Sequence, residues 1–254
     1  MAIESTSRKV AEVTLVFWVM KICATTLGET AGDLLSMTMN VGYGASSLLL
    51  LGFFTITLIV QLRSHQYHPM LYWGVIVSTS TAGTTLSDYM DRTLGLGYAT
   101  GALILVSFLL TSLWVWYKSE GSLSVSHIST FRPELFYWIT ILISNTLGTA
   151  LGDFLADDSG LGFAGGAGLI GALLAIIIML YYFTNISRVV LFWIAFVLTR
   201  PFGATFGDLL TKTTDKGGFD LGTIGSSVVL FSIVVILVIR EVRTLHSRTM
   251  QPVQ

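Results

Sequence analysis

Apolar runs of roughly 20 residues, enough to cross a bilayer core as helix, alternate along the chain with short polar or glycine-rich breaks. The pattern predicts eight spans, near residues 11–38, 42–62, 70–90, 95–117, 134–156, 161–183, 188–211 and 220–240. In lipid only helices or closed barrels satisfy their own backbone, and these runs lack the alternation of barrel strands. The expectation is an all-α membrane protein, with residues 1–254 forming one transmembrane domain.

The polar positions inside the runs repeat. Gly28-x-x-x-Gly32-Asp33 is matched by Gly83-x-x-x-Ser87-Asp88, Gly148-x-x-x-Gly152-Asp153 and Gly203-x-x-x-Gly207-Asp208. The aspartates are 55, 65 and 55 residues apart, and fifteen residues before each stands a tryptophan: Trp18, Trp73, Trp138 and Trp193. After the first three comes a glycine–aromatic pair, Gly42-Tyr43, Gly97-Tyr98 and Gly162-Phe163; the fourth copy, Gly217-Gly218-Phe219, is shifted by one. The repeats fall near 10–62, 68–117, 133–183 and 187–240. Each unit holds two helices, so every copy enters from the same side, as parallel rather than inverted repeats. The extra residues all lie between helices four and five, which divides the molecule into two similar four-helix halves.

Composition agrees with this class and adds one limit. Hydrophobic residues make up 53% of the chain and charged residues 11%, with a mean hydropathy of +0.75, far from the globular average. A single cysteine, Cys23, excludes an internal disulfide and is expected to be a buried structural thiol. Arg8 and Lys9 precede the first run, but no small-residue cleavage pattern follows, so that run is expected to stay as a helix.

Over residues 10–240 the tryptophan and the Gly-x-x-x-(Gly/Ser)-Asp pattern resemble a family of bacterial membrane proteins of unknown function, built from four tandem two-helix repeats with a characteristic tryptophan. The resemblance implies the same architecture in a bacterial inner membrane.

Charge sets the expected orientation. Arg8, Lys9, Arg63, Lys118, Arg132, Arg188, Arg240, Arg243 and Arg248 fall on one side, against Arg92, Lys212 and Lys216 on the other. By the positive-inside rule both termini are cytoplasmic and the motif ends face outward. Glu29, Asp33, Asp88, Asp91, Asp153, Asp157, Asp158, Asp208, Asp215 and Asp220 gather at those outward ends. The tryptophans fall where an aromatic belt would lie near the cytoplasmic surface, and fifteen residues of helix place each aspartate about 22 Å further on.

The small residues of the motif predict close helix packing. The aspartates are harder to place, because they lie near outward helix ends where the macrodipole disfavours an anion. They either mark the outer boundary or need a cation, a proton or a donor network. Residues one and two turns earlier share their face: Thr25 and Glu29 with Asp33, a stripe that extends one more turn to Lys21; Ser80 and Thr84 with Asp88; Asn145 and Thr149 with Asp153; Arg200 and Ala204 with Asp208. Such a polar stripe faces a bundle interior or a water path. Lys21 and Arg200 are expected to balance the acids, either as fixed salt bridges or as competitors of a bound cation or proton.

Carboxylates with Thr, Ser and Asn oxygens suit hard cations such as Mg²⁺, Mn²⁺ or Ca²⁺, so Glu29 and Asp33 are the candidate metal ligands. Glu29-x-x-Gly32-Asp33 is similar to the Glu-x-Gly-Asp motif of cation/proton exchangers that move manganese or calcium, with one extra residue and without the following basic residue. His65, His68, His127 and His246 lie in expected cytoplasmic segments, the first two as an exposed loop pair. Asn40-Val-Gly-Tyr-Gly44 looks like a potassium filter, but no pore helix fits beside it and the later copies lose the pattern, leaving turn glycines. No hydrolase, zinc-protease, phosphate-loop or dinucleotide motif is present, so neither enzyme nor cofactor is expected.

The functional expectation is a transport protein in the inner membrane. Glu29, Asp33, Asp88, Asp153 and Asp208 would bind a cation or proton, beside a path of Thr25, Ser80, Thr84, Asn145 and Thr149. Proton-coupled export of a divalent metal such as manganese is the specific form. The partners are the lipid bilayer and a small cation, not nucleic acid. The alternative is a non-transporting scaffold or sensor whose polar stripe holds the helices together.

Overall fold

A computed structural model describes residues 8–249 as eight long helices: α1 Leu15–Asp33, α2 Tyr43–Arg63, α3 Pro69–Asp88, α4 Tyr98–Glu120, α5 Phe131–Asp153, α6 Gly162–Phe183, α7 Arg188–Thr211 and α8 Thr223–Thr249. The outermost residues of the expected 1–254 domain, and the side chains of His127 and Arg248, lie outside the described residues. Local chemistry sets the helix ends. The Thr14 side chain accepts the Phe17 N–H at 3.2 Å, Pro69 opens α3, and Gly42 and Gly97 (φ 80° and 72°) turn the chain into α2 and α4. The glycine–aromatic pairs are thus turns, as their sequence suggested.

The odd-numbered helices form a closed ring in which α1 packs on α3, α3 on α5, α5 on α7 and α7 on α1. The even-numbered helices lie outside it. Each covers the first helix of the following copy rather than its own partner: α2 on α3, α4 on α5, α6 on α7 and α8 back on α1. Their outer faces expose Leu48, Phe53, Leu103, Phe108, Ile178, Met179, Val228 and Phe231, an apolar surface suited to lipid.

The motif glycines are what let the ring close. A β-carbon on Gly28 would fall 2.5 Å from Ser80 Cβ, on Gly83 3.0 Å from the Asn145 carbonyl carbon, on Gly148 2.5 Å from Arg200 Cβ and on Gly203 2.7 Å from Thr25 Cβ. One turn further on, Gly32 meets Thr84, Gly152 meets Ala204 and Gly207 meets Glu29 in the same way. Each copy therefore sets its small residues against the polar stripe of the next, at one register shared by all four interfaces and, a turn further on, at a second shared by three. Equal registers at every interface mean the four core helices run parallel.

Among the described residues six helices are long and apolar enough to cross a membrane, and the chain is a multi-pass, all-helical membrane protein. The other two, α1 and α3, carry the densest polar stripes. The ring buries Lys21, Thr25, Thr26, Glu29, Thr30 and Asp33 on α1, and Ser78 to Thr81, Thr84, Thr85, Ser87 and Asp88 on α3. A helix surrounded by protein can carry polar groups that lipid would reject.

Two expectations are corrected. Asp33, Asp88 and Asp153 are not at helix ends, because each is followed by a π-helical turn, Leu34–Thr38, Tyr89–Thr93 and Phe154–Asp158. The free carbonyls lie a turn beyond them, so the macrodipole acts on them less than their place in the sequence suggested. The repeat tryptophans do not form a lipid-facing belt either. Trp73, Trp138 and Trp193 are buried and Trp18 half-buried, each packed at a tilted or edge-on angle against an aromatic of the preceding copy: Trp73 on Phe17, Trp138 on Tyr72, Trp193 on Tyr137 and Trp18 on Phe192. The even-numbered helices and the loops shield this layer from lipid, and the Tyr72 and Tyr137 hydroxyls bond each other at 2.5 Å.

Candidate functional site

Four aspartates, one per core helix, lie at one level of the ring, each no more than 4% exposed. Two cations tie them together across copies. Arg92 holds Asp88 Oδ1 through Nε at 2.9 Å and Asp153 Oδ2 through Nη2 at 3.0 Å; Lys212 holds Asp33 Oδ2 at 2.7 Å and Asp208 Oδ1 at 3.0 Å. Both cations lie four residues after an aspartate, in copies two and four. That is one helical turn, which brings a long side chain back onto the same face. Met37 and Asp157 hold this place in copies one and three, so the charge pattern is twofold on a fourfold frame. The Arg92 guanidinium also lies over the rings of Tyr43 and Tyr98, at 5.9 and 5.6 Å.

One turn deeper, Glu29 and the Arg200 guanidinium share the centre of the ring. Arg200 Nη2 donates to Glu29 Oε2 at 3.0 Å, Thr84 Oγ1 at 2.5 Å and Thr149 Oγ1 at 2.6 Å. Its side chain, carried by the fourth copy, thereby touches all three others. Ala204 takes the place of Glu29, Thr84 and Thr149 on α7, which leaves space for the guanidinium to reach this level. The Glu29 and Thr149 oxygens are 3.5 Å apart.

Glu29, Asp33 and Asp208 each place a carboxylate oxygen within 4.8 Å of the others, and all three are buried. The two metal ligands expected from the sequence thus come together, and a third joins them across the α7–α1 closure. Asp88 and Asp153 lie on the other side of the ring with Arg92. Of the path residues, Thr25, Ser80, Thr84, Asn145 and Thr149 are all fully buried in the stripe. Arg200 fills the centre of the ring at this level, and the aromatic layer lies at its tryptophan end.

Arg200 does balance an acid, through Glu29. Lys21 does not. Among the described residues no carboxylate lies within ion-pair distance of its ammonium, which sits 4.1 Å from the centre of the Phe196 ring and 3.4 Å from Asn145 Oδ1. It lies two helical turns from Glu29, about 12 Å along the axis, which is too far for the expected pairing. Cys23 is half-buried rather than buried.

Other buried ion and hydrogen-bond partners were not anticipated. Lys9 pairs with Glu134, and Gln61 donates to Glu134 Oε1 at 2.9 Å and to the Lys9 carbonyl at 3.1 Å, fixing the segment before α1 against the ends of α2 and α5. Glu241 accepts from Trp73 Nε1 at 3.0 Å and from the Tyr67 hydroxyl at 2.7 Å. Burial, and then the Glu241 charge, push the Tyr67 phenol well above its ordinary range, so it stays a donor.

Comparison with protein-family models matches four tandem copies of the Repeat of Unknown Function (DUF347), at residues 16–67, 71–122, 136–187 and 191–246. The copies cover most of the chain, which belongs to this family. No curated protein and no solved structure matches it.

Proposed function

We propose that this member of the DUF347 repeat family is a bacterial inner-membrane transport protein that crosses the bilayer eight times, with both termini in the cytoplasm. It would move a hard cation through its acid-lined centre. The observation that carries the reading is a charge count. Five buried carboxylates, Glu29, Asp33, Asp88, Asp153 and Asp208, meet three cations, Arg92, Arg200 and Lys212, within ion-pair distance among the described residues. Fully ionised, the cluster carries two uncompensated negative charges in a medium that tolerates none. One divalent cation or two protons neutralise that surplus.

The equality gives exchange its logic. A cluster that needs either two protons or one divalent cation alternates between two neutral loads, which couples metal movement in one direction to proton movement in the other. The oxygen-only lining favours a hard ion such as Mn²⁺. Glu29, Asp33 and Asp208 would hold the metal; Asp88 and Asp153, fixed by Arg92, would hold protons; and the stripe hydroxyls would line the path once Arg200 moves aside.

The Arg200 contacts favour a second reading, a non-transporting scaffold or sensor, because one side chain locks all four repeats together. Reconstitution separates the two. Vesicles carrying the native chain should take up Mn²⁺ with opposite proton movement, whereas a scaffold leaves both at the level of empty vesicles.

A further inference from the structure

We propose that Asp91 is the outward proton-loading group of the ring: its carboxyl takes up a proton from the outer solution and delivers it to the Asp88–Asp153 side. The inference rests on the transport reading above and names where the exchanged protons enter and leave that site.

Asp91 lies past α3, in the π-helical turn Tyr89–Thr93, and is buried although Arg92, Thr93 and Leu94 directly after it are exposed. Its Oδ2 accepts the Ser87 hydroxyl at 3.2 Å, whereas its Oδ1 is buried and accepts no hydrogen bond among the described residues. The charged and titratable groups on the elements packed around this turn face other partners. Arg92 bridges Asp88 and Asp153, Tyr89 lies against Gly44, Tyr43 of α2 accepts from Arg92 at 3.4 Å, and Tyr98 of α4 donates to Asp157 at 3.3 Å. An ionised carboxylate has no counter-charge here and no donor on one oxygen, which burial penalises. A proton removes both deficits.

The other copies show what this position is built for. Three residues after the motif aspartate they carry Ser36, Ala156 and Thr211. Ser36 donates to the Gly32 carbonyl four residues back at 2.8 Å, and Thr211 donates to the Gly207 carbonyl at 3.0 Å. An ionised carboxylate can only accept, whereas a protonated one donates as those hydroxyls do. The opposing helix makes room for it: a β-carbon on Gly101 of α4 would overlap Asp91 Oδ1. Burial pushes the carboxyl up to about 6, against the smaller opposing effects of the Ser87 bond and of Arg92. Asp91 stands three residues after Asp88, a neighbouring place on a helix, and its donor Ser87 directly precedes Asp88. Each transfer moves one proton from solvent to Asp91 Oδ1 and then to a ring carboxylate. The surplus of two charges in the ring is unaltered, because the sixth carboxyl is neutral when it holds its proton.

The test is infrared spectroscopy of the full chain in detergent and deuterium oxide, taken as native minus Asp91→Asn in the carbonyl band of a protonated carboxyl. A band present in acid and lost with a midpoint of about 6 is expected. Gly101→Ala, whose methyl displaces the carboxyl toward solvent, should bring the midpoint down toward about 4. In proteoliposomes Asp91→Asn should keep native Mn²⁺ affinity but move protons about tenfold more slowly. Should Asp91→Asn fail to fold, Asp91→Ser, which places the residue of copy one there, supplies the same comparisons. No Asp91 band at any pH, or one with its midpoint already near 4, overturns the proposal and leaves the transport reading standing. So does native proton movement in the folded Asp91 variant. Native vesicles without coupled flux remove the transport reading and the delivery role together.

Discussion

Removing Arg200 alone from the central Glu29–Arg200 pair should cost much more than removing both members. Arg200→Met takes away the only cation paired with Glu29 among the described residues, leaving a buried carboxylate without its partner. Breaking a buried pair in this way costs about 3–5 kcal/mol. The hydroxyls it also abandons lose less, because Thr84 Oγ1 can still donate to the Gly28 carbonyl at 3.1 Å or the Ser80 carbonyl at 3.2 Å. Glu29→Gln should be milder, about 1.5–3 kcal/mol for one charge-assisted bond, since Arg200 keeps Thr84 and Thr149 as acceptors. With both charges gone, the desolvation penalty disappears too, and the double variant should lose only about 1–2 kcal/mol. The two single losses then exceed the double loss by a coupling of about 5 kcal/mol. Reversible unfolding in mixed micelles, followed by tryptophan fluorescence, measures all four proteins. A double variant whose loss equals the sum of the singles within about 0.5 kcal/mol would refute the pairing at the centre of the ring.

Further outcomes follow from the same contacts. Gly83→Ala, whose new methyl would meet the Asn145 backbone at 3.0 Å, should destabilise by about 1–3 kcal/mol. Gly74→Ala, with nothing within 4 Å, should be neutral or slightly stabilising by thermal melting in detergent. Lys9→Met, which strands the fully buried Glu134, should cost about 3–5 kcal/mol, and Glu134→Leu added to it should recover part of that loss in the same assay. Trp193→Phe removes the indole bond to the Leu123 carbonyl at 3.0 Å and should cost about 1 kcal/mol.

The repeat and its packing chemistry were legible in the sequence because they recur at fixed offsets. A glycine four residues before another small residue marks a close approach wherever it occurs, and here the same approach occurs around the ring. The partner across each approach was not legible. That α7 closes on α1, and so brings Asp208 to Glu29 and Asp33, is a long-range fact that no local pattern encodes. Arg92 and Lys212 were visible only as exceptions to the charge asymmetry. The signal that could have found them is their shared place four residues after an aspartate, 120 residues apart in the two halves. Lys21 misled because sharing a helical face with acids says nothing of distance along the axis. Lys9 shows the opposite: it falls among the charges that mark one membrane side, whereas its buried partner Glu134 lies 125 residues away. The tryptophans matched the depth of an aromatic belt, but depth alone does not tell a lipid-facing ring from one covered by a neighbouring helix.

The central claim is that the surplus of two buried negative charges is a load-binding site rather than a lock. Its most direct measurement is coupled flux in proteoliposomes, with Mn²⁺ entry and internal pH recorded together for the native chain and for Asp33→Asn. The account predicts Mn²⁺ movement with opposite proton movement, near two protons for each ion, and loss of both in Asp33→Asn. Native vesicles indistinguishable from empty ones, or equal flux from the folded Asp33→Asn chain, would contradict it.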